Sequence, residues 1–398
     1  MKKKALSLVL ASAMVASLVG CGSSSAETET PSAAETSTTE AAATTEAATT
    51  EAATTEAAAT TDNSDKKIAM ITDSGDITDE SFNQITWETC VAYGEANGIE
   101  TQYYKPAEDT DEERINSVDL AIAEGATVVV MPGYLFGPAI AEEQGLYPDV
   151  TFIAVDVTEG DIVNLAGENV ALGDNVYICS FQEEQAGYLA GYAAVKDGYT
   201  SLGFLGGIAV PAVIRYGFGY IQGINAAAEE MGVDVDVKYY YGGQFYGDDA
   251  ITARMEGWYA DGTQVVFACG GGIYTSAVDA AAQYDGKVIG VDVDQFPKIG
   301  DACITSAMKG LGSAVETALD AYTSGNWASI GGKSEQLGLT QGDYLGLPTD
   351  DASWGFKTFT KDEYETVLNG IKDGSITVSN DTENQPEVGS HVTVTYVE

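Results

Sequence analysis

ITDSGDITDESFNQITWE, running from Ile71 to Glu88, decides how this chain is read. Its first residues close the apolar run KIAMIT (Lys67–Thr72), a strand candidate. Its last residues open a helical pattern headed by Ser81, Phe82 and Asn83. Between them lie Asp73, Asp76 and Asp79 at three-residue spacing, with Gly75 inside the set. A strand that hands over to a helix through acids and a glycine reads as the first unit of an open α/β sheet, with ligand-facing groups at the carboxyl end of the strand.

The same alternation extends outward. Helix Ser81–Asn97 is followed by strands Thr101–Tyr104 and Thr127–Met131 around a helix over Asp111–Glu124. A helix near Pro138–Gln144 and a strand over Val150–Val155 come next. The pattern then restarts, with helices over Glu183–Lys196, Val213–Met231, Asp249–Ala260 and Ser276–Gln283. Strands over Leu202–Leu205, Val235–Tyr241, Gln264–Ala268 and Val288–Val291 alternate with them. Continuous β-branched runs between helices predict parallel sheets covered on both faces. From Lys66 onward the chain exceeds the size at which one core stops growing, so two lobes are expected. The first spans 66–180 plus about 306–330, with Ile304–Met308 and a helix over Gly312–Tyr322 carrying the chain back to it. The second spans 181–305 plus part of 331–398, reached by a further crossing after Gly325.

The chain begins with a basic stretch, Met1–Lys4, and an apolar run, Ala5–Gly20, too short and serine-dotted for a membrane span. Residues 1–20 read as a signal peptide. Leu18-Val19-Gly20-Cys21 resembles the bacterial lipobox, which implies cleavage before Cys21 and lipidation of its sulfur. Acyl chains would then anchor the protein at about 0.8 kcal/mol per buried methylene. Residues 21–65 hold the lipidated cysteine and near-repeats of Thr-Thr-Glu-Ala-Ala, which cannot offset their own ordering entropy and read as a disordered tether reaching roughly 35–40 Å. The expected location is the extracytoplasmic face of the cell membrane.

Composition removes several function classes. The chain carries 61 acidic and 18 basic residues, a net charge of −43, and so lacks the basic footprint that nucleic acid requires. Cys90, Cys179, Cys269 and Cys303 are widely spaced with no CxxC pair, and Cys179 and Cys269 sit in apolar runs as buried thiols. A single histidine, His391, leaves no histidine-based triad and no histidine-rich zinc site. Asp73, Asp76 and Asp79 lack EF-hand spacing, so no metal is expected. Nor can the metal-ringed aspartates and general acid of a nucleoside hydrolase be assembled, so neither an enzyme nor a cofactor is expected.

The strand ends select a ligand class. Asp73, Gly75 and Asp76 follow the first strand, Pro132-Gly133 the TVVVM strand and Asp156 the VTFIAV strand. Gly242-Gly243 with Phe245, Gly270-Gly271-Gly272, and Asp292 with Asp294 follow later ones. Phosphate loops are missing there. Carboxylates accept hydrogen bonds, so the matching ligand is neutral and rich in O–H and N–H donors, such as a sugar or a nucleoside. Phe82 and Phe245 offer flat faces for a ring.

The motif D-x-G-x-x-x-D-x-S-F-N-Q-x-x-W, from Asp73 to Trp87, resembles the opening signature of the basic membrane protein (Bmp) family of nucleoside-binding lipoproteins. The resemblance continues through FQEEQAGYLAGYAA (Phe181–Ala194), VFACGGG, IGVDVDQ (Ile289–Gln295) and ITSAMKG (Ile304–Gly310), in the family's order. It implies a type I periplasmic-binding-protein fold, with two Rossmann-like lobes, parallel sheets and three hinge crossings. It also implies an ABC-transporter component that captures purine nucleosides (adenosine, guanosine, inosine) and hands them to a permease and ATPase as a monomer. Carried over residue by residue, Phe82 and Phe245 stack on the purine, with Asp73 and Asn83 beside it. Gly271 contacts the ribose region, Asp292 holds ribose hydroxyls, Lys309 assists, and either Glu183 or Glu184 reads the purine edge. A protein for a sugar or furanose signal, or a surface sensor or antigen without transport, is the competing expectation.

Overall fold

The computed structural model describes residues 63–397 apart from Glu80. The expectations for residues 1–20, for Cys21 and for all but the last residues of the tether lie outside them. Asn63 is already buried and donates from Nδ2 to Asn97 O (3.5 Å), so the folded body begins slightly before Lys66.

Strands β1 (Lys67–Ile71), β2 (Glu100–Tyr104), β3 (Val128–Pro132), β4 (Thr151–Val155) and β5 (Val176–Phe181) alternate with helices α1 (Phe82–Asn97), α2 (Asp111–Ala123) and α3 (Gly137–Glu143). After α4 (Glu183–Lys196) the pattern repeats. The strands are β6 (Ser201–Gly206), β7 (Val235–Tyr241), β8 (Val265–Cys269), β9 (Lys287–Asp292) and β10 (Cys303–Lys309). The helices are α5 (Pro211–Met231), α6 (Asp249–Ala260), α7 (Tyr274–Tyr284) and the short α8 (Phe296–Ile299). Finally come α9 (Leu311–Thr323), β11 (Lys333–Leu337), β12 (Leu345–Gly346), α10 (Lys361–Lys372) and β13 (Val392–Tyr396).

Two sheets result. The first has the order β11-β5-β4-β3-β1-β2 and is parallel throughout. The second, β12-β10-β9-β8-β6-β7-β13, is parallel except where β12 runs against β10. Every residue of β3, β4, β5 and β8 is buried, as strands covered on both faces must be. The chain passes between the sheets three times, at Phe181–Glu183, Lys309–Leu311 and Leu337–Leu345.

One element departs from the expectation. Ile304–Met308 does not return to the first lobe: as β10 it pairs with β9 in the second sheet, and only α9 beyond it packs on α1 and β4. The apolar run carries no mark of which sheet it joins, because a parallel strand buried on both faces reads alike in either. The tail belongs largely to the second sheet. There β13 covers the β7 edge, and the carboxylate of Asp197 accepts from the backbone N–H groups of Lys357, Thr358 and Phe359 at 2.7, 2.5 and 3.1 Å.

Helices α4 and α5 meet backbone to backbone. A Cβ on Gly187 would lie 2.1 Å from Tyr216 O, one on Gly219 2.1 Å from Glu184 O, and one on Gly223 2.0 Å from Tyr188 O. Side chains at these positions would hold the helices apart, so glycines four residues apart on each helix permit the approach. This contact sets Glu183 on α4 beside Arg215 on α5.

Candidate functional site

The first rim is organised around the start of α1. Asp79 accepts from the N–H groups of Ser81 (3.0 Å), Asn83 (2.9 Å) and Gln84 (3.1 Å), capping the helix from outside its first turn. Asn83 is thereby fixed. Its Nδ2 donates to Asp73 Oδ1 (2.8 Å) and Asp79 Oδ2 (2.9 Å), and its Oδ1 accepts from Asp73 N (3.1 Å). Gly75 N also donates to Asp73 Oδ1 (2.7 Å), which leaves Asp73 Oδ2 as the acceptor turned toward Gly133 and Phe82. Gly133 has φ 110°, and a Cβ there would sit 3.4 Å from both Asp73 Oδ2 and Phe82 Cε1; glycine keeps this wall open. Burial pushes the Asp73 carboxyl up to about 6 and raises Asp79 as well, outweighing the hydrogen bonds that each accepts.

Charge pairs govern the second rim. Asp156 after β4 and Asp292 at the end of β9 both take the left-handed backbone, φ 64° and 63°, uncommon away from glycine. Lys309 Nζ lies 2.8 Å from Asp156 Oδ2, 3.3 Å from Glu183 Oε1 and 3.7 Å from Asp292 Oδ1, so the end of β10 ties acids of both sheets together. Arg215 Nε completes the cluster, 2.6 Å from Glu183 Oε2. Burial works against charge on Lys309, but the three carboxylates overcome it and hold the ammonium well above the usual lysine range. Burial likewise opposes the charge on Asp156, and Lys309 beside it brings that carboxyl below its ordinary value. Glu183 is pushed up by its complete burial in spite of its two cations.

These rims enclose one cavity of about 170 Å³. Asp73, Phe82, Asn83, Phe245, Gly271, Asp292 and Lys309 all line it. Phe245 is braced by glycine: a Cβ on Gly207 would meet its ring at 2.4 Å, and one on Gly270 at 2.9 Å. Lys309 Nζ stands 5.2 Å from the centre of the Phe82 ring.

Glu183 and Glu184 do not line the cavity. Glu183 is turned onto Arg215 and Lys309. Glu184 is buried elsewhere on α4 with Oε2 unpartnered, and burial raises it to about 7. Neither carboxyl therefore faces the cavity here, and Glu183 instead lies behind its wall in the ion cluster with Lys309 and Arg215. Asp156, Arg215, Tyr216, Tyr134 and Asp161 line the cavity without having been singled out as binding residues. Only Asp156 had a legible signal, its place after a strand; Arg215 and Tyr216 lie inside a long helical pattern. Cys269 lines the cavity, and all four described cysteines are buried and free. Among the described residues, no group of three or more His, Cys, Asp or Glu is arranged to hold a metal ion.

Two doubly wound lobes joined by three crossings, with one cavity where their strand ends meet, define a type I periplasmic binding protein. A solved solute-binding protein of an ABC transporter system from Aeropyrum pernix has this fold, with TM-score 0.67 at 20% identity, covering 79% of this chain and 94% of that one. Residues 66–379 match the family described as ABC transporter substrate-binding protein PnrA-like (Bmp), and the chain belongs to that family. Among relatives, the "ABC transporter nucleoside-binding protein BmpA" of Lactococcus lactis subsp. cremoris is 27% identical over 340 residues, 79% of this chain and 89% of its own. A "CD4+ T-cell-stimulating antigen" of Listeria monocytogenes is 27% identical over 307 residues, 72% of this chain and 80% of its own. The protein is thus a substrate-binding component of an ABC transporter.

Proposed function

We propose that this protein captures purine nucleosides (adenosine, guanosine or inosine) at the outer face of the membrane and presents them to an ABC permease and its ATPase. One observation carries the reading: Phe82 from the first lobe and Phe245 from the second line a single cavity whose polar groups include the carboxylates of Asp73, Asp156 and Asp292. Two aromatic faces suit a flat, neutral base, each stack adding roughly 0.5–1.5 kcal/mol beyond area burial. Asp73 Oδ2, its partner oxygen already engaged, accepts from the base edge. Asp292 takes the pentose hydroxyls, with Lys309 beside it and Gly271 giving close backbone approach. Hydrogen bonds from hydroxyls to an ionised carboxylate contribute roughly 1.5–3 kcal/mol each. Because the two rings come from different lobes, bound ligand favours closure, and the closed form is what the permease reads.

The same reading places a lipid on Cys21 as the anchor, residues 22–65 as the tether, a monomer as the working unit and binding rather than catalysis as the task. Calorimetry tests it. Adenosine, guanosine or inosine should bind at micromolar Kd or tighter, whereas free ribose and arabinose should give no heat. Sugar binding without nucleoside binding would overturn it.

A further inference from the structure

The start of α1 contains a division of labour. Ser81 occupies the N-cap position, where a serine hydroxyl ordinarily accepts from an N–H of the first turn; here it makes no such bond. Asp79 performs that task, accepting from the N–H groups of Ser81, Asn83 and Gln84. Ser81 O still accepts from Ile85 N (3.0 Å), so the helix begins normally without help from the hydroxyl. The freed Ser81 Oγ instead donates to Asp292 Oδ2 at 2.7 Å, a buried bond to a residue 211 positions along the chain and on the other sheet.

Asp292 is held on its other oxygen too. Tyr216 Oη donates to Oδ1 (3.3 Å), and Lys309 Nζ lies 3.7 Å from the same atom. Both of these partners belong to the second lobe or its edge, so Ser81 supplies the first lobe's hold on this carboxylate. A carboxylate has about four acceptor sites, so each oxygen keeps capacity toward the cavity after these bonds. The left-handed backbone at Asp292 gives it a side-chain direction that neighbouring strand positions do not share.

We infer that Ser81 is a positioning residue: its hydroxyl fixes the Asp292 carboxylate from across the cleft, so that recognition of ligand hydroxyls becomes accurate only when the two rims meet. The inference rests on the nucleoside reading above, in which Asp292 receives the pentose. Asp79 makes the arrangement possible by relieving Ser81 of helix capping.

The test compares wild type, Ser81→Ala and Ser81→Thr by calorimetry with inosine and with its dideoxy analogue, which lacks both ring hydroxyls of the ribose. Ser81→Ala should lose about tenfold on inosine and little on the analogue, so that the selectivity between them shrinks. Ser81→Thr, which keeps a hydroxyl, should restore most of that selectivity. Equal losses on both ligands, or no loss on either, would overturn the inference while leaving the nucleoside reading intact. Wild-type protein that binds neither ligand would overturn the nucleoside reading and this inference with it. A Ser81→Ala chain that fails to fold would also overturn it, since capping would then depend on Ser81 and not on Asp79.

Discussion

The two rims of the cavity are acidic in different ways. On the first, Asp73 and Asp79 are held by hydrogen bonds, and burial lifts both carboxyls. On the second, Asp156, Asp292 and Glu183 gather around Lys309, with Arg215 behind. The difference shows that a carboxylate site need not be uniformly charged. One side can change protonation near pH 6 while the other holds a fixed ion cluster. In the proposed reading, a flat base edge meets the tunable side and hydroxyls meet the fixed side.

Lys309→Met attacks the fixed side and should have the largest effect. It leaves three buried carboxylates facing one another with only Arg215 nearby. Breaking such a cluster costs about 3–5 kcal/mol, readable as a loss of unfolding free energy in urea. A loss below about 1 kcal/mol would mean that the ion cluster is not what holds this rim. Phe82→Ala and Phe245→Ala leave both charge patterns intact and remove one ring face each. Each should weaken nucleoside binding by about 10- to 100-fold in calorimetry, through lost stacking and lost area.

Asp73→Asn then separates the rims by pH. A folded carboxyl lifted to about 6 contributes stability that is present in acid and lost as pH rises through that value. The Asn variant should therefore gain melting temperature over wild type at pH 7.5, and the gain should vanish by about pH 4. Wild-type affinity should fall below about pH 6, as the acceptor becomes a protonated acid, and the variant should not show that fall. The smallest effect is expected for Asp79→Ala, a lost helix cap of about 1–2 kcal/mol in a urea melt, with Asn83 released from one of its anchors.

How legible these rims were in the sequence follows from what creates each. Asp73, Phe82 and Asn83 lie in one short segment, so a strand-to-helix handover placed them at once. Phe245, Gly271 and Asp292 were each found as the residue after a strand. Lys309 and Glu183 came from the family resemblance and Asp156 from its place after a strand, but that they meet one another, with Arg215, follows only from tertiary packing. Glu183 and Glu184 do not line the cavity, and where they point depends on how α4 packs on α5. The glycines at 187, 191, 219 and 223 were visible, but which helix faced which was not. β10 went to the wrong lobe because burial on both faces erases the periodicity that would assign it. In the tail, Thr360 to Glu363 carries a capping box, bonded in both directions, that marks α10 plainly enough to have been read.

The central claim is that an uncharged nucleoside fills the space between Phe82 and Phe245. Native mass spectrometry of residues 66–398, purified from cells without added ligand, measures the bound species directly. The account predicts one added mass per chain equal to that of a purine nucleoside, lost on gentle denaturation. An added mass matching a hexose, a nucleotide or another charged metabolite would contradict it.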